Sequence, residues 1–274
     1  MTPSGRRRLD AVLVDRGAAA DLDEARSLVG AGRVLVAGAP ALSASRAVAP
    51  DEPIVVMKRE RFVGRGGEKL DAALEAFAID VDGLDALDVG ASTGGFTDCL
   101  LSRGALKVLA VDVGRHQLHE RLASDPRVVS MERTNIRDVS GEMVAAALGA
   151  MPSIVVVDLS FTSVRAHASR IASLAAPDAD LVVLVKPQFE VDHVTASRGN
   201  GVVRDPDQWQ SVVVACAWAF QAAGTGIIDL MASPLRGATG NVEFLVHAAA
   251  GREGIDPDAL AARAAAVIAG VEQR

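Results

Sequence analysis

The sequence predicts an α/β protein: a doubly wound, mostly parallel sheet with an antiparallel last strand, preceded by a small N-terminal α+β module. Three observations predict it. Short apolar runs alternate with helix-spaced patterns between residues 68 and 223, as in strands joined by crossover helices. A glycine turn, Gly90-Ala91-Ser92-Thr93-Gly94-Gly95, separates one such run from the helix pattern behind it. The charge is uneven as well: residues 1–65 hold 11 Lys+Arg against 8 Asp+Glu, and the rest 17 against 27.

The elements follow in chain order. Leu9, Val12 and Leu13 share one face of a short helix that Gly17 stops. Asp21 opens a second helix, and Glu24, three residues on, completes a capping box. That helix turns Ala25, Leu28 and Val29 inward and ends at Gly30 or Gly32. Arg33–Val36 reads as a strand, Ala37–Pro40 as a turn and Ile54–Met57 as the last strand of the module, which is near the lower size limit for independent folding. Lys58–Gly67 is basic and glycine-rich, so 60–67 reads as a linker between domains 1–59 and 68–274.

A helix begins at Glu68 and carries Leu70, Ala73, Leu74 and Phe77. Strands are predicted at 84–89, 107–112, 127–130, 153–158 and 180–185, and helices near 94–103, 115–123, 163–175 and 207–223. Segments 226–233 and 241–248 have no helix between them, which predicts an antiparallel hairpin at the sheet edge. Asp256–Arg274 reads as an alanine-rich packing helix.

Composition excludes several functions. Tyrosine is absent and aromatics make up 3% of the chain, so base stacking on an aromatic platform is not the expected mode of recognition. Cys99 and Cys216 are far apart and build neither a disulfide framework nor a metal site. The five histidines have no zinc-protease or triad context, and no metal is expected. The N-terminus lacks the apolar run of a secretory signal, and no segment approaches the ~20 apolar residues of a membrane span. The expectation is a soluble cytoplasmic protein.

The glycine turn narrows the ligand. Glycine brings bare backbone next to a bound group, and the helix behind it presents free N–H groups. The glycines are spaced neither as G-x-G-x-x-G nor as G-x-x-x-x-G-K-[ST], so dinucleotides and nucleoside triphosphates are not indicated. Asp112, ending the next strand, is placed to bind ribose hydroxyls. Acidic-x-Gly-x-x-x-Gly, here Asp88-Val89-Gly90 through Gly94, resembles the S-adenosylmethionine loop of Rossmann-like methyltransferases. That resemblance assigns Asp88, Gly90, Ala91, Ser92, Thr93, Gly94, Gly95, Phe96, Asp112 and Asp158 to the cofactor, with Asp88 meeting its cationic amine.

In open α/β sheets ligands bind beyond the C-terminal strand ends. One predicted strand ends in Asp158-Leu159-Ser160-Phe161 and another in Lys186-Pro187-Gln188-Phe189-Glu190, while Glu243 stands in the late strand and Lys69 starts the first helix of the large domain. The order Lys69, Asp158, Lys186, Glu243 resembles the K-D-K-E tetrad of FtsJ-like ribose 2′-O-methyltransferases. A ribose hydroxyl is a poor nucleophile until a neighbour takes or shares its proton. Lys186 is assigned that role, Asp158 and Lys69 tune it and orient the hydroxyl, and Glu243 holds a lysine.

Arg7-Arg8-Leu9-Asp10 through Gly17, and Glu24-Ala25-Arg26 through Gly38, resemble the αL-type RNA-binding domain. This resemblance points Arg6, Arg7, Arg8, Arg26 and Arg33 at RNA phosphates, and Arg65 in the linker joins them. The joint pattern, with Glu132-Arg133-Thr134-Asn135, Gly201-Val202-Val203 and Ser233-Pro234-Leu235, is similar to the TlyA (haemolysin A) family. The family implies cytidine 2′-O-methylation in ribosomal RNA of both subunits, places Asn135 at the cofactor and makes ribosomal subunits the partners. Its older name raises a membrane-lytic alternative, and a non-catalytic ribosome-assembly factor is a third. Val113-Gly114-Arg115-His116 departs from the family pattern on the adenine side, and the loop Thr195–Gly201 is a candidate to close over cofactor or RNA.

Overall fold

A computed structural model describes residues 5–57, 61–192 and 199–273. The chain divides into two compact units, Met1–Glu60 and Arg61–Arg274.

The first unit packs α1 (Leu9–Asp15) and α2 (Leu22–Gly30) on two small sheets. β2 (Val34–Val36) lies between β3 (Ala39–Pro40) and β5 (Ile54–Val56), while β1 (Arg7–Arg8) pairs with β4 (Ala47–Val48). The expected helix faces are buried: Leu9, Val12, Leu13, Ala25, Leu28 and Val29 pack together, joined by Val34 and Val36 of β2. Asp21 caps α2 by accepting from Glu24 N at 2.8 Å, and Glu24 reaches back to accept from Ala20 N at 2.6 Å. Arg7 and Arg8 pair antiparallel with Val48 and Ala47.

The second unit is built on a seven-stranded sheet of order β11-β12-β10-β9-β6-β7-β8. β6 (Asp85–Val89), β7 (Lys107–Val111), β8 (Val128–Met131), β9 (Ile154–Val157) and β10 (Asp180–Val185) run parallel. β12 (Phe244–Ala250) is antiparallel to β10 and to β11 (Thr225–Ala232), so the last hairpin inserts its second strand and leaves its first at the edge. Alternate strand residues serve two layers, as strands buried on both faces require. Ala86, Val108, Val156 and Leu184 pack with α3 (Gly66–Ala76) and α4 (Gly95–Ser102). Leu87, Leu109, Val157 and Val183 pack with α6 (Gly141–Leu148), α7 (Ala168–Ala172), α9 (Pro206–Ala222) and α10 (Pro257–Glu272). The chain runs outward from β6 through β7 to β8, then returns to place β9 on the other side of β6. This reversal is a topological switch point, and it opens a crevice at the C-terminal ends of β6 and β9.

Three expectations are corrected, and one helix was not foreseen. The linker 60–67 is largely part of the second unit: Phe62 is buried, Val63 N donates to Asp98 Oδ2 at 2.8 Å, and α3 starts at Gly66 rather than Glu68. Of the helix near 115–123, only α5 (Glu120–Ala123) forms. The segment before it is captured by carboxylates, with Asp112 accepting from Gly114 N and Glu132 from His116 N and Gln117 N, bonds that compete with a helix. The helix near 163–175 is a 3₁₀ turn, Val164–His167, followed by α7, because Glu190 holds the Ser163 hydroxyl and Val164 N. α6 was not foreseen, although Ser140 caps its start and Gly149, at φ 98°, ends it. Within the Thr195–Gly201 loop, residues 195–198 lie outside the described residues. The helix after β10 is a single turn: α8 (Pro187–Glu190) starts one residue beyond the strand, with Lys186 between them.

Candidate active site

Three site residues stand one position beyond a parallel strand: Asp112 after β7, Asp158 after β9 and Lys186 after β10. Glu243 stands one position before β12, whose antiparallel course puts its start at the same sheet edge, with Phe244 opposite Val185. The topology thereby gathers four charged residues distant in sequence.

Two pairs result. Lys186 Nζ lies 2.7 Å from Asp158 Oδ1 and donates to Ser160 Oγ at 2.7 Å. Lys69, one turn into α3, pairs with Glu243 Oε2 at 2.5 Å, with both side chains nearly buried. Gly66, at the start of α3, lies beside Phe96 and Asp158: a Cβ there would stand 3.4 Å from the Phe96 ring and 3.6 Å from Asp158 Oδ2. The tetrad residues thus form two ion pairs.

The crevice holds two cavities that share Gly90, Ser92 and Asp158. The larger, about 470 Å³, is lined by Asp112, Val113, Gln117, Asn135, Ile136 and Ser160 among others. The smaller, about 190 Å³, is lined by Gly64, Arg65 and Gly66 on one side and Ala91, Thr93, Gly95 and Phe96 on the other. Gly90 is at φ +89°, and a Cβ there would stand 2.6 Å from the Asp158 carbonyl oxygen, so the strand ends meet only because residue 90 is glycine. Gly94, at φ +95°, packs its bare Cα against Leu118 and Leu122 and borders neither cavity.

Asp112 accepts from Ser92 N at 2.8 Å and Gly114 N at 2.6 Å, which fixes its carboxylate at the cavity wall and fastens the glycine turn to β7. Asn135 spends its side-chain oxygen on Arg137 N at 3.0 Å, leaving its NH₂ as the donor. Asp88, expected to meet a cationic amine, lines neither cavity. It is fully buried beneath the turn, accepts from Thr97 Oγ1 at 2.6 Å, and has no hydrogen-bond partner at Oδ1 among the described residues. Burial pushes its carboxyl up to about 7, with the neighbouring Asp158 and Asp112 adding to the shift.

Arg65 borders the smaller cavity and donates to Arg236 O at 2.7 Å. The other candidate arginines belong to the first unit. Arg8 and Arg26 share the buried carboxylate of Asp10, at 2.6 and 3.5 Å, and Arg7 pairs with Asp15. Arg6 reaches Ala47 O, and Arg33 forks onto Met57 O at 3.0 and 2.8 Å.

The sequence did not single out Ser160, Thr162, His167, Gln117 or Val113 as cavity residues. His167 is buried with Nε2 3.1 Å from Thr162 Oγ1, and burial lowers its pKa. Phe161, at φ 63°, is exposed and lies 5.4 Å from the Phe189 ring. Arg115 and His116, where the sequence departs from its relatives, do not line the cavity; Val113 and Gln117 do.

Residues 62–250 match the FtsJ-like methyltransferase family. The chain is 47% identical over 243 residues to the 16S/23S rRNA (cytidine-2'-O)-methyltransferase TlyA of Mycobacterium tuberculosis, covering 88% of this chain and 89% of that protein. It is 37% identical over 240 residues to Hemolysin A of Brachyspira hyodysenteriae, covering 88% and 98%. A Streptococcus thermophilus protein of known structure, named as a hemolysin, aligns over 98% of both chains with a TM-score of 0.72 and 31% identity.

Proposed function

The chain belongs to the FtsJ-like methyltransferase family, and on that premise we propose that it methylates the 2′-hydroxyl of cytidine in ribosomal RNA of both subunits, using S-adenosylmethionine. The observation that carries this reading is the Lys186–Asp158 ion pair, whose carboxylate residue lines the glycine-turn cavity. A relative nearly half identical along most of the chain, named for 16S and 23S rRNA, supports the acceptor.

The residues present fit the cofactor. A Cβ at Gly90 would fill the close approach of the two strand ends, and the cavity beside it has room for a nucleoside. Asp112 retains lone pairs for ribose hydroxyls, and Asn135 offers a donor nearby. Ala91, Ser92, Thr93, Gly95 and Phe96 line the smaller end, which Gly94 shapes from behind, while Asp88 supports the turn from below. When bound, the cofactor supplies an electrophilic methyl group on a sulfonium.

The chain's own residues supply position and proton handling. Lys186 takes or shares the proton that the acceptor hydroxyl gives up, and Asp158 anchors its amine. The Lys69–Glu243 pair keeps α3 and the start of β12 in register with that amine. In the first unit, Arg6, Arg7, Arg8, Arg26 and Arg33 bind RNA phosphates, and Arg65 adds a cation beside the cofactor cavity. Ribosomal subunits in the cytoplasm are the proposed partners. The membrane-lytic alternative has no helix to support it: among the described residues none is long and apolar enough to cross a membrane.

The test is incubation with labelled S-adenosylmethionine and isolated subunits, followed by mass-spectrometric mapping of ribose methylation. Label on cytidine is expected, and Lys186→Ala abolishes transfer while sparing cofactor binding. Folded, cofactor-binding wild-type protein that leaves the RNA unlabelled overturns the reading in favour of a non-catalytic RNA-binding role.

A further inference from the structure

We propose that Ser160 is a positioning residue for methyl transfer, holding the Lys186 amine at the place where it meets the acceptor hydroxyl. This rests on the reading of Lys186 as the lysine of the reaction.

A lysine amine sits on four flexible methylenes, and a single ionic partner leaves it a wide arc. Here the arc is closed by two contacts from one short loop. Asp158 Oδ1 and Ser160 Oγ each stand 2.7 Å from Lys186 Nζ, and both residues line the larger cavity. An ammonium has three donors. Among the described residues one goes to Ser160 Oγ and the Asp158 ion pair lies beside a second, which leaves a third position on the nitrogen for the acceptor hydroxyl.

The loop is built to hold Ser160 in place. Asp158 N donates to Val89 O at 2.9 Å, which locks the start of the loop to β6. Phe161 follows in the left-handed region, at φ 63°, a conformation that costs an aromatic residue energy and persists only where its surroundings impose it. On the other side, Lys186 is fixed at its backbone as the residue between β10 and the Pro187 that starts α8. Without the Ser160 hydroxyl the amine keeps the Asp158 contact but is free to swing about it, toward the Phe189 ring 5.9 Å away.

The test compares Ser160→Ala, Ser160→Thr and Lys186→Ala on ribosomal RNA, with cofactor affinity and thermal midpoint measured for each. Ser160→Ala is expected to lower kcat roughly ten- to a hundred-fold, the effect of losing one hydrogen bond to a charged group. Its KM for RNA stays near the wild-type value. Ser160→Thr, which keeps the hydroxyl on an exposed loop position, restores most of kcat. A rate for Ser160→Ala equal to or above wild type overturns the proposal, as does a loss confined to cofactor affinity, or a threonine variant no better than alanine. If Lys186→Ala itself turns over normally, the prior reading of Lys186 has failed instead.

Discussion

Replacing Gly90 with alanine tests whether the crevice depends on the contact between two strand ends. Gly90 is at φ +89°, where an L residue pays roughly 1–2 kcal/mol. The added Cβ would also stand 2.6 Å from Asp158 O, 2.9 Å from its carbonyl carbon and 3.3 Å from Leu159 N. All three are backbone atoms of the loop leaving β9, so no flexible side chain can absorb the overlap, and forcing them apart adds roughly 1–3 kcal/mol. The sum, roughly 2–5 kcal/mol, is a large share of a domain's stability. Gly149→Ala is the matched control in the same unit: it is at φ +98°, with nothing within 4 Å of a built Cβ, and should lose only the roughly 1–2 kcal/mol backbone cost. Urea unfolding reads the difference, and calorimetric titration with S-adenosylmethionine reads the site. Because Asp158 borders both cavities, displacing it should weaken cofactor binding roughly ten-fold or more, whereas Gly149→Ala should bind normally. Equal stability and equal affinity in the two variants would refute the reasoning.

Three further outcomes are expected. Lys69→Met or Glu243→Leu alone should each cost roughly 3–5 kcal/mol by leaving a buried charge unpaired, while the double variant regains most of that stability but not methyl transfer; activity regained along with stability argues against a role for the pair in the reaction. Burial raises Asp88 from the ordinary 3.8 to about 7, so the folded protein keeps a proton that the unfolded chain releases. Its contribution to stability is complete below pH about 4 and lost as pH rises through about 7, and Asp88→Asn should flatten that decline in urea midpoints; parallel profiles reject the assignment. Asp10→Asn should weaken RNA binding several-fold in filter assays at fixed salt, because the carboxylate positions Arg8 and Arg26. Charge alone predicts the reverse, so tighter binding by Asp10→Asn sinks the positioning argument.

The sheet was legible because its parallel strands are buried on both faces and so read as unbroken apolar runs, such as Ile154–Val157 and Leu181–Val185. The helices were less legible wherever side chains bid for the backbone. Nothing in the periodicity of 115–123 announces that Glu132, on the far side of β8, takes His116 N and Gln117 N. The segment 60–67 is rich in glycine and arginine, as linkers are, but its glycines serve close packing. A Cβ on Gly67 would fall 2.4 Å from the buried Phe62 ring, and one on Gly95 would fall 3.0 Å from Gly67 N.

The site separates two kinds of carboxylate that a motif treats alike. Asp88 belongs to the glycine pattern, yet it lies inside β6, two residues from Ala86, and strand alternation turns it the same way, into the layer under α4 where Thr97 receives it. Asp112 and Asp158 each lie one residue past a strand, where the chain has left the sheet and a charged group escapes burial on both faces. Lys186 obeys the same rule, and Glu243 obeys it in reverse because β12 runs antiparallel. Charge that interrupts an apolar run therefore marks the site only when it falls at the C-terminal edge of a parallel strand or the start of an antiparallel one. Ser160 escapes even that rule. It is an ordinary loop residue two positions beyond Asp158, and only the return of β10 beside β9 brings the Lys186 amine to its hydroxyl.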